Sequence, residues 1–123
     1  MVTTQPRKIL IVDDEPLIRE ILRFALQFEG HEVLEAESGH RAFELLQSQA
    51  VDLVLSDIRM PNGDGIELLA NIRAQDAVTP PVVFMTGFSD LSRENAISKG
   101  ASELIYKPFE LDQLLKIITS FLK

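Results

Sequence analysis

Short aliphatic runs and apolar stripes at helical spacing alternate five times along the chain. Lys8–Val12 is dominated by β-branched and aliphatic residues, which predicts a short strand buried on both faces. Pro16 suits the first turn of a helix, where its missing N–H costs nothing. From there Leu17, Ile18, Ile21, Leu22, Ala25 and Leu26 keep helical spacing, and Gly30 is the expected stop. Glu32–Ala36 predicts a second, more polar strand, placed at a sheet edge. Ser38 is a candidate cap for a helix carrying Ala42, Phe43, Leu45 and Leu46. Leu53–Leu55 predicts the third strand. The loop Met60–Gly65, with one proline and two glycines, leads into a helix with Ile66, Leu68, Leu69 and Ile72. Pro80 and Pro81 precede a fourth strand, Val82–Met85. Ser89–Lys99 reads as a helix poor in apolar residues, anchored by Leu91, Ala96 and Ile97 and ended by Gly100. Leu104–Tyr106 predicts the fifth strand, and Leu111, Leu114, Leu115, Ile118 and Leu122 stripe the last helix. Five βα units in succession imply an α/β domain: a doubly wound parallel sheet with helices on both faces. Residues 8–123 read as that one domain, after an N-terminal extension of residues 1–7.

Composition agrees and narrows the function. The chain has 123 residues, 46% of them hydrophobic and 25% charged, enough apolar material for the core of one domain. Its formal charge of −7 argues against direct binding to nucleic acid or an anionic membrane, which needs basic surface. With no cysteine, disulfides, thiolate metal sites and cysteine nucleophiles are excluded. The apolar run Ile9–Val12 is far shorter than a spanning helix or a signal-peptide core. A soluble, cytoplasmic protein is the expectation.

In open parallel sheets, ligands sit at the carboxyl ends of the strands. Here the first strand ends in Asp13, Asp14 and Glu15, the third in Asp57, the fourth in Thr86 and the fifth in Lys107. Each has an ordinary structural explanation on its own, as a helix-start carboxylate, a loop aspartate, a β-branched strand end or a solvated lysine. Together they point to chemistry. If the first and third strands are neighbours, Asp13, Asp14 and Asp57 lie roughly 5 Å apart. Two carboxylates at about 4 Å repel by on the order of 4 kcal/mol at an effective dielectric of 20. A hard divalent cation, Mg²⁺ or Mn²⁺, resolves that conflict and recruits a phosphate oxygen. Lys107 adds positive charge and Thr86 a hydroxyl donor, the parts of a phosphoryl-transfer site. The nucleophile is expected to be a carboxylate, because no serine has a placed histidine partner. His31 and His40 are expected at the surface.

These residues resemble the receiver domain of two-component response regulators, the family of the chemotaxis regulator CheY. The resemblance rests on Ile9-Leu10-Ile11-Val12-Asp13-Asp14-Glu15, on Asp57-Ile58-Arg59-Met60-Pro61 with Gly65, on Met85-Thr86-Gly87 and on Lys107-Pro108-Phe109. Four motifs in the correct order on the correct strand ends make it specific, and it covers the chain from about Lys8 onward. It implies strand order 2-1-3-4-5, the flavodoxin-like order. It further implies that Asp57 accepts a phosphoryl group from a phosphohistidine. Asp14 is then a direct metal ligand, Asp13 one acting largely through water, and the Arg59 carbonyl another ligand. Thr86 and Lys107 contact the phosphoryl group, and the Lys107–Pro108 bond is cis.

One position departs from the family. The aromatic usually found three residues before the lysine is replaced by Leu104, and Tyr106 stands immediately before Lys107. The two share a strand face, so Leu104 and Tyr106 join Thr86 as candidate switch residues, with Tyr106 expected to pack as an edge-strand aromatic against a helix. Phosphorylation is expected to draw Thr86 inward and shift the apolar-poor fourth helix, reshaping the face made with the fifth strand and last helix. Arg59 and Phe88 border the site, and Gly87 leaves a path for hydrolytic water. The resemblance implies a signalling phosphoacceptor rather than an enzyme, with a sensor histidine kinase or histidine phosphotransfer protein as donor. An unidentified downstream protein receives the signal, and the domain works as a monomer or a phosphorylation-dependent dimer. A stand-alone regulator and a receiver within a longer protein both fit. Of the alternatives, a flavin protein is opposed by the acidic first loop, which would repel a phosphate. A Mg²⁺-dependent small-molecule phosphatase lacks a visible cap or pocket, and a phosphorylation-independent interaction module would not need the complete site.

Overall fold

Five parallel strands, each followed by a helix, form from these alternating runs and stripes. The computed structural model describes residues 6–87 and 91–122. Most of the expected N-terminal extension lies outside the described residues, as do Phe88, Ser89 and Asp90. The elements run β1 (Lys8–Val12), α1 (Pro16–Phe28), β2 (Glu32–Ala36), α2 (Gly39–Ser48), β3 (Leu53–Asp57), α3 (Gly65–Gln75), β4 (Val82–Thr86), α4 (Arg93–Ser98), β5 (Glu103–Tyr106) and α5 (Leu111–Phe121). The strand order is β2-β1-β3-β4-β5, with every neighbouring pair parallel. The polar strand β2 is an edge, as its sequence suggested. β1 and β3 are neighbours, in the register Val12 beside Ser56.

Side-chain alternation divides the core into two layers. Leu10, Val12, Val54, Val82 and Phe84 pack with the buried faces of α2, α3 and α4. Ile9, Ile11, Leu53, Leu55, Val83 and Met85 pack with Leu22 and Leu26 of α1 and Leu114 and Ile118 of α5. Burial of each such side chain contributes about 1.5–3 kcal/mol, and this holds the strand ends in place. Helix starts follow their chemistry: Ser38, Asp64 and Ser92 accept the backbone N–H groups of Arg41, Glu67 and Asn95. The Lys107–Pro108 peptide is cis, and Thr79–Pro80 is cis as well. Among the described residues no helix is long and apolar enough to cross a membrane.

Four details differ from the sequence reading. The third and fourth strands extend to Asp57 and Thr86, so both polar residues belong to the sheet and not to the loops beyond it. The α1 stripe splits: Leu22 and Leu26 are buried, while Leu17 is 66% exposed and Ile21 faces solvent with Phe24 and Phe28. Two adjacent stripes run along this helix, and periodicity does not say which one meets the sheet. The fourth helix has six residues, not eleven. Leu91 precedes it and Ile97 is exposed, which leaves Ala96 as its buried anchor. Finally, His31 is buried, 6% exposed, against the expectation of a surface histidine. It lies in the turn from α1 to β2, where its Nδ1 accepts the Arg7 N–H at 3.2 Å. Burial pushes its pKa down. His40 is exposed, facing Glu67 at 3.5 Å.

Candidate functional site

The register of β1 and β3 places the site. Val12 lies beside Ser56, so the next step along the two strands sets Asp13 beside Asp57. Carboxylate oxygens of Asp13, Asp14 and Asp57 lie within 4.8 Å of one another. Asp13 and Asp57 are buried, and Asp14 is exposed. Lys107, one residue beyond β5, reaches into this group. Its Nζ stands 3.1 Å from Asp57 Oδ2, 3.4 Å from Asp13 Oδ2 and 3.8 Å from Glu15 Oε1. Its own backbone N–H is tied to the Thr86 carbonyl at 2.8 Å, which joins the end of β5 to the end of β4.

The two buried carboxylates, Asp13 and Asp57, are each held by a backbone N–H. Asp13 Oδ1 accepts the Glu15 N–H at 2.9 Å, and its backbone N–H donates to Ala36 on β2. Asp57 Oδ1 accepts the Ile58 N–H at 2.7 Å, which leaves Oδ2 turned toward Lys107. The carbonyl of Asp57 is approached so closely by Gly65 that a Cβ there would collide with it. Gly65 is therefore required by space. It brings the start of α3 against the end of β3 and closes the loop bearing Arg59, the Gly65 N–H donating to the Ile58 carbonyl at 2.7 Å. That loop is closed from the other side by α2, whose Gly39 and His40 N–H groups donate to the Gly63 and Asn62 carbonyls. No sequence signal marked Gly39, although a Cβ there would strike the Gly63 carbonyl.

The electrostatics are those of a site short of positive charge. Burial pushes the Asp13 carboxyl up, against the opposing pull of the Glu15 N–H and Lys107, and the neighbouring Asp57 charge pushes the same way. Burial works to lower the Lys107 ammonium, but its bonds to Asp57 and Asp13 prevail and raise it. Lys107 offsets only one of the three aspartates it faces as a group. All three donors are hard carboxylate oxygens, a set that fits Mg²⁺ or Mn²⁺ and suits softer metals poorly.

Thr86 is buried at the end of β4, paired in register with Tyr106. Gly87 opens onto space, with no atom within 4 Å of where a Cβ would sit. Arg59 is exposed beside the site. Leu104 is buried in the layer under α4, whereas Tyr106 is 45% exposed and donates its hydroxyl to the Leu91 carbonyl at 3.0 Å. Both lie on β5, an edge strand, and Tyr106 meets the lead-in to α4. Among residues the sequence reading did not single out, Arg19 donates to the Asp13 carbonyl and Arg93 pairs with Glu103 across α4 and β5.

Comparison with known proteins decides the family. The family model described as the response regulator receiver domain matches residues 9–119. The chain belongs to that family. Its curated relatives include the regulatory protein AtoC of Escherichia coli, 39% identical over 94% of this chain and 25% of that protein. The transcriptional regulatory protein TrcR of Mycobacterium tuberculosis is 31% identical over 96% of this chain and 46% of that protein. The receiver domain thus spans between about a quarter and about half the length of these relatives. Among solved structures, the response regulator TrrA of Thermotoga maritima, determined with Mg²⁺ and a beryllofluoride group, superposes with a TM-score of 0.83. It is 37% identical, over 94% of this chain and 99% of that one. The BeF₃-activated receiver domain of Klebsiella pneumoniae RstA superposes at 0.86 with 31% identity, over 94% and 98%. Receiver domains bind Mg²⁺ at an acidic pocket, and this receiver domain carries such a cluster in Asp13, Asp14 and Asp57.

Proposed function

We propose that this receiver domain accepts a phosphoryl group on Asp57 from a phosphohistidine and passes the change to the α4–β5–α5 face. The observation that carries this reading is the placement of the Lys107 ammonium between the paired carboxylates of Asp57 and Asp13. Oδ1 of Asp57 accepts the Ile58 N–H and Oδ2 faces Lys107, and in this reading Oδ2 is the attacking oxygen. Its lone pair forms the O–P bond while the donor's N–P bond breaks, and the imidazole leaves with the electron pair and takes up a proton. Lys107 lies where it can pair with the incoming phosphoryl oxygens, and the Thr86 hydroxyl donates to them. Asp13, Asp14, Asp57 and the Arg59 carbonyl hold the divalent cation, Mg²⁺ or Mn²⁺. When bound, the cation offsets the charge of the carboxylates and of the transferred group.

In this reading the domain is a signalling phosphoacceptor that catalyses its own phosphorylation and dephosphorylation. Gly87 leaves open the route for hydrolytic water, with Arg59 beside it. The donor is a sensor histidine kinase or a histidine phosphotransfer protein, in the cytoplasm. Phosphorylation draws Thr86 inward, and its register partner Tyr106 transmits the shift to α4. The acidic domain itself is not the nucleic-acid contact. Relatives such as NtrC of Proteus hauseri, named a DNA-binding transcriptional regulator, are about four times as long as the matched region, and any DNA binding by a longer protein falls to its other segments.

Intact mass after incubation with a small phosphodonor tests the assignment. One phosphoryl adduct that requires Mg²⁺ and disappears in Asp57→Asn is the expected result. A folded, Mg²⁺-binding wild type that gains no adduct from a phosphohistidine donor overturns it.

A further inference from the structure

The acidic pair is held by an ion pair that lies outside the site. Arg19, in the first turns of α1, donates Nε to Glu35 Oε1 on β2 at 3.1 Å and Nη1 to the backbone carbonyl of Asp13. One turn further on, Arg23 donates Nη1 to the other oxygen of Glu35, also at 3.1 Å. The side chains of Arg19 and Glu35 are largely buried, at 18% and 30% exposure. Every other polar atom of Asp13 has a partner nearby: Ala36 for its N–H, the Glu15 N–H for Oδ1, Lys107 for Oδ2. The strand β1 ends at Val12, so the Asp13 carbonyl lies beyond the β ladder, and Arg19 supplies the donor that the ladder does not.

We propose that Arg19, oriented by Glu35, is a positioning residue that sets the affinity of the acidic pair for Mg²⁺. This rests on the Mg²⁺ site assigned above. The Asp13 carbonyl and the Asp14 N–H belong to one planar peptide unit. Fixing that carbonyl fixes the plane from which both carboxylates project. Asp14 is exposed, so packing does little to place it, and its direction depends on the backbone. Glu35 does two things at once: it aims the guanidinium, and it cancels a positive charge that would otherwise oppose a cation.

The two contributions are separable because they predict opposite signs for Arg19. If only its charge matters, Arg19→Gln strengthens Mg²⁺ binding. If it positions Asp13–Asp14, Arg19→Gln weakens binding. Mg²⁺ titration followed by the backbone amide NMR shifts of residues 13–15 and 57–59 reads affinity without any phosphorylation step, and Tm in EDTA reads stability separately. Arg19→Gln is expected to weaken Mg²⁺ binding about tenfold, the lower end for partners that support metal ligands. Glu35→Gln is expected to fall between that variant and wild type, and the double variant to be no weaker than Arg19→Gln alone. Arg19→Lys, which keeps one donor and the charge, recovers part of the loss, and Arg23→Gln, which touches Glu35 but not Asp13, changes affinity less than about twofold. Arg19→Gln that binds Mg²⁺ as well as wild type or better, or that lowers Tm alone, overturns the proposal. A wild type that binds Mg²⁺ but takes no phosphoryl group defeats the function above and leaves this coupling standing. A wild type that binds no Mg²⁺ defeats both.

Discussion

At the scale of single residues, Asp13 sets burial against charge. Its carboxyl is buried, and burial is the largest influence on it, so its pKa in the folded chain lies above the usual carboxylate value. The sign of the consequence follows from linkage. The unfolded chain releases this proton at lower pH than the folded chain does, so stability falls as pH rises through the unfolded value and stays lower at neutral pH. Asn at this position keeps an oxygen for the Glu15 N–H and loses the charge. Asp13→Asn is therefore expected to raise Tm in metal-free buffer at neutral pH, by about 2–5 °C, and to remove the stabilisation that Mg²⁺ gives the wild type. Thermal melts with and without Mg²⁺ measure both, and a variant less stable than wild type in EDTA contradicts the argument. The same residue shows what the sequence made legible. Asp13, Asp14, Asp57, Thr86 and Lys107 are legible as candidates because they stand at or just beyond strand ends, which can be read from where aliphatic runs stop. Arg19, Glu35 and Gly39 were not found, because their contacts are set by which helix crosses which strand. His31 was misplaced for a related reason: its burial comes from the turn that packs α1 on β2, not from any pattern around it.

At the scale of elements, α4 has little apolar packing and is tied to its neighbours by polar contacts. Its six residues include one buried anchor, Ala96, yet three polar contacts hold its ends. Tyr106 donates to the Leu91 carbonyl before the helix, Arg93 pairs with Glu103, and Arg73 of α3 donates to the Gly100 carbonyl after it at 2.8 Å. A helix with few buried apolar contacts opens locally at low cost, so each polar tie carries a larger share of its local stability. The sequence showed that this helix was poor in apolar residues; its shortness and its ties were not visible, because they depend on partners 10 to 27 residues away. Tyr106→Phe removes one tie without changing shape. A half-exposed hydrogen bond of this kind is worth about 0.5–1 kcal/mol, which corresponds to roughly two- to fivefold faster amide exchange in residues 91–99. Hydrogen exchange by mass spectrometry is expected to show that increase there and little change in β1 or β3. Exchange in residues 91–99 identical to wild type would leave Tyr106 without a role in holding α4.

At the scale of the whole molecule, the acidic cluster and the buried histidine lie at opposite ends of the sheet. The acidic site lies at the carboxyl ends of the strands, and His31 lies at the opposite end, just before β2. Five-residue strands put about 15 Å between them, beyond the range over which local effects usually couple. His31 accepts the Arg7 N–H through Nδ1, so it is neutral at that atom in the fold, and burial keeps its pKa below the ordinary value. Glu29, Arg7 and Asp52 are the charged groups that act on it. As pH falls through about 6.5, the unfolded chain binds a proton here before the folded chain does, so stability declines toward acid and is fully present above that pH. In His31→Gln this contribution is gone, and its Tm is expected to fall less steeply than that of wild type between about pH 7.5 and 5.5. Mg²⁺ at about 100 times its dissociation constant adds about 2.7 kcal/mol to whichever chain binds it, by mass action alone. Because the sites are far apart, the Mg²⁺-induced rise in Tm at neutral pH is expected to be the same in wild type and His31→Gln. Equal slopes with pH would remove the histidine from the acid sensitivity of the fold. A Mg²⁺ effect that changes with His31→Gln would mean instead that β1, the strand whose two ends carry Arg7 and Asp13, transmits a shift along its whole length.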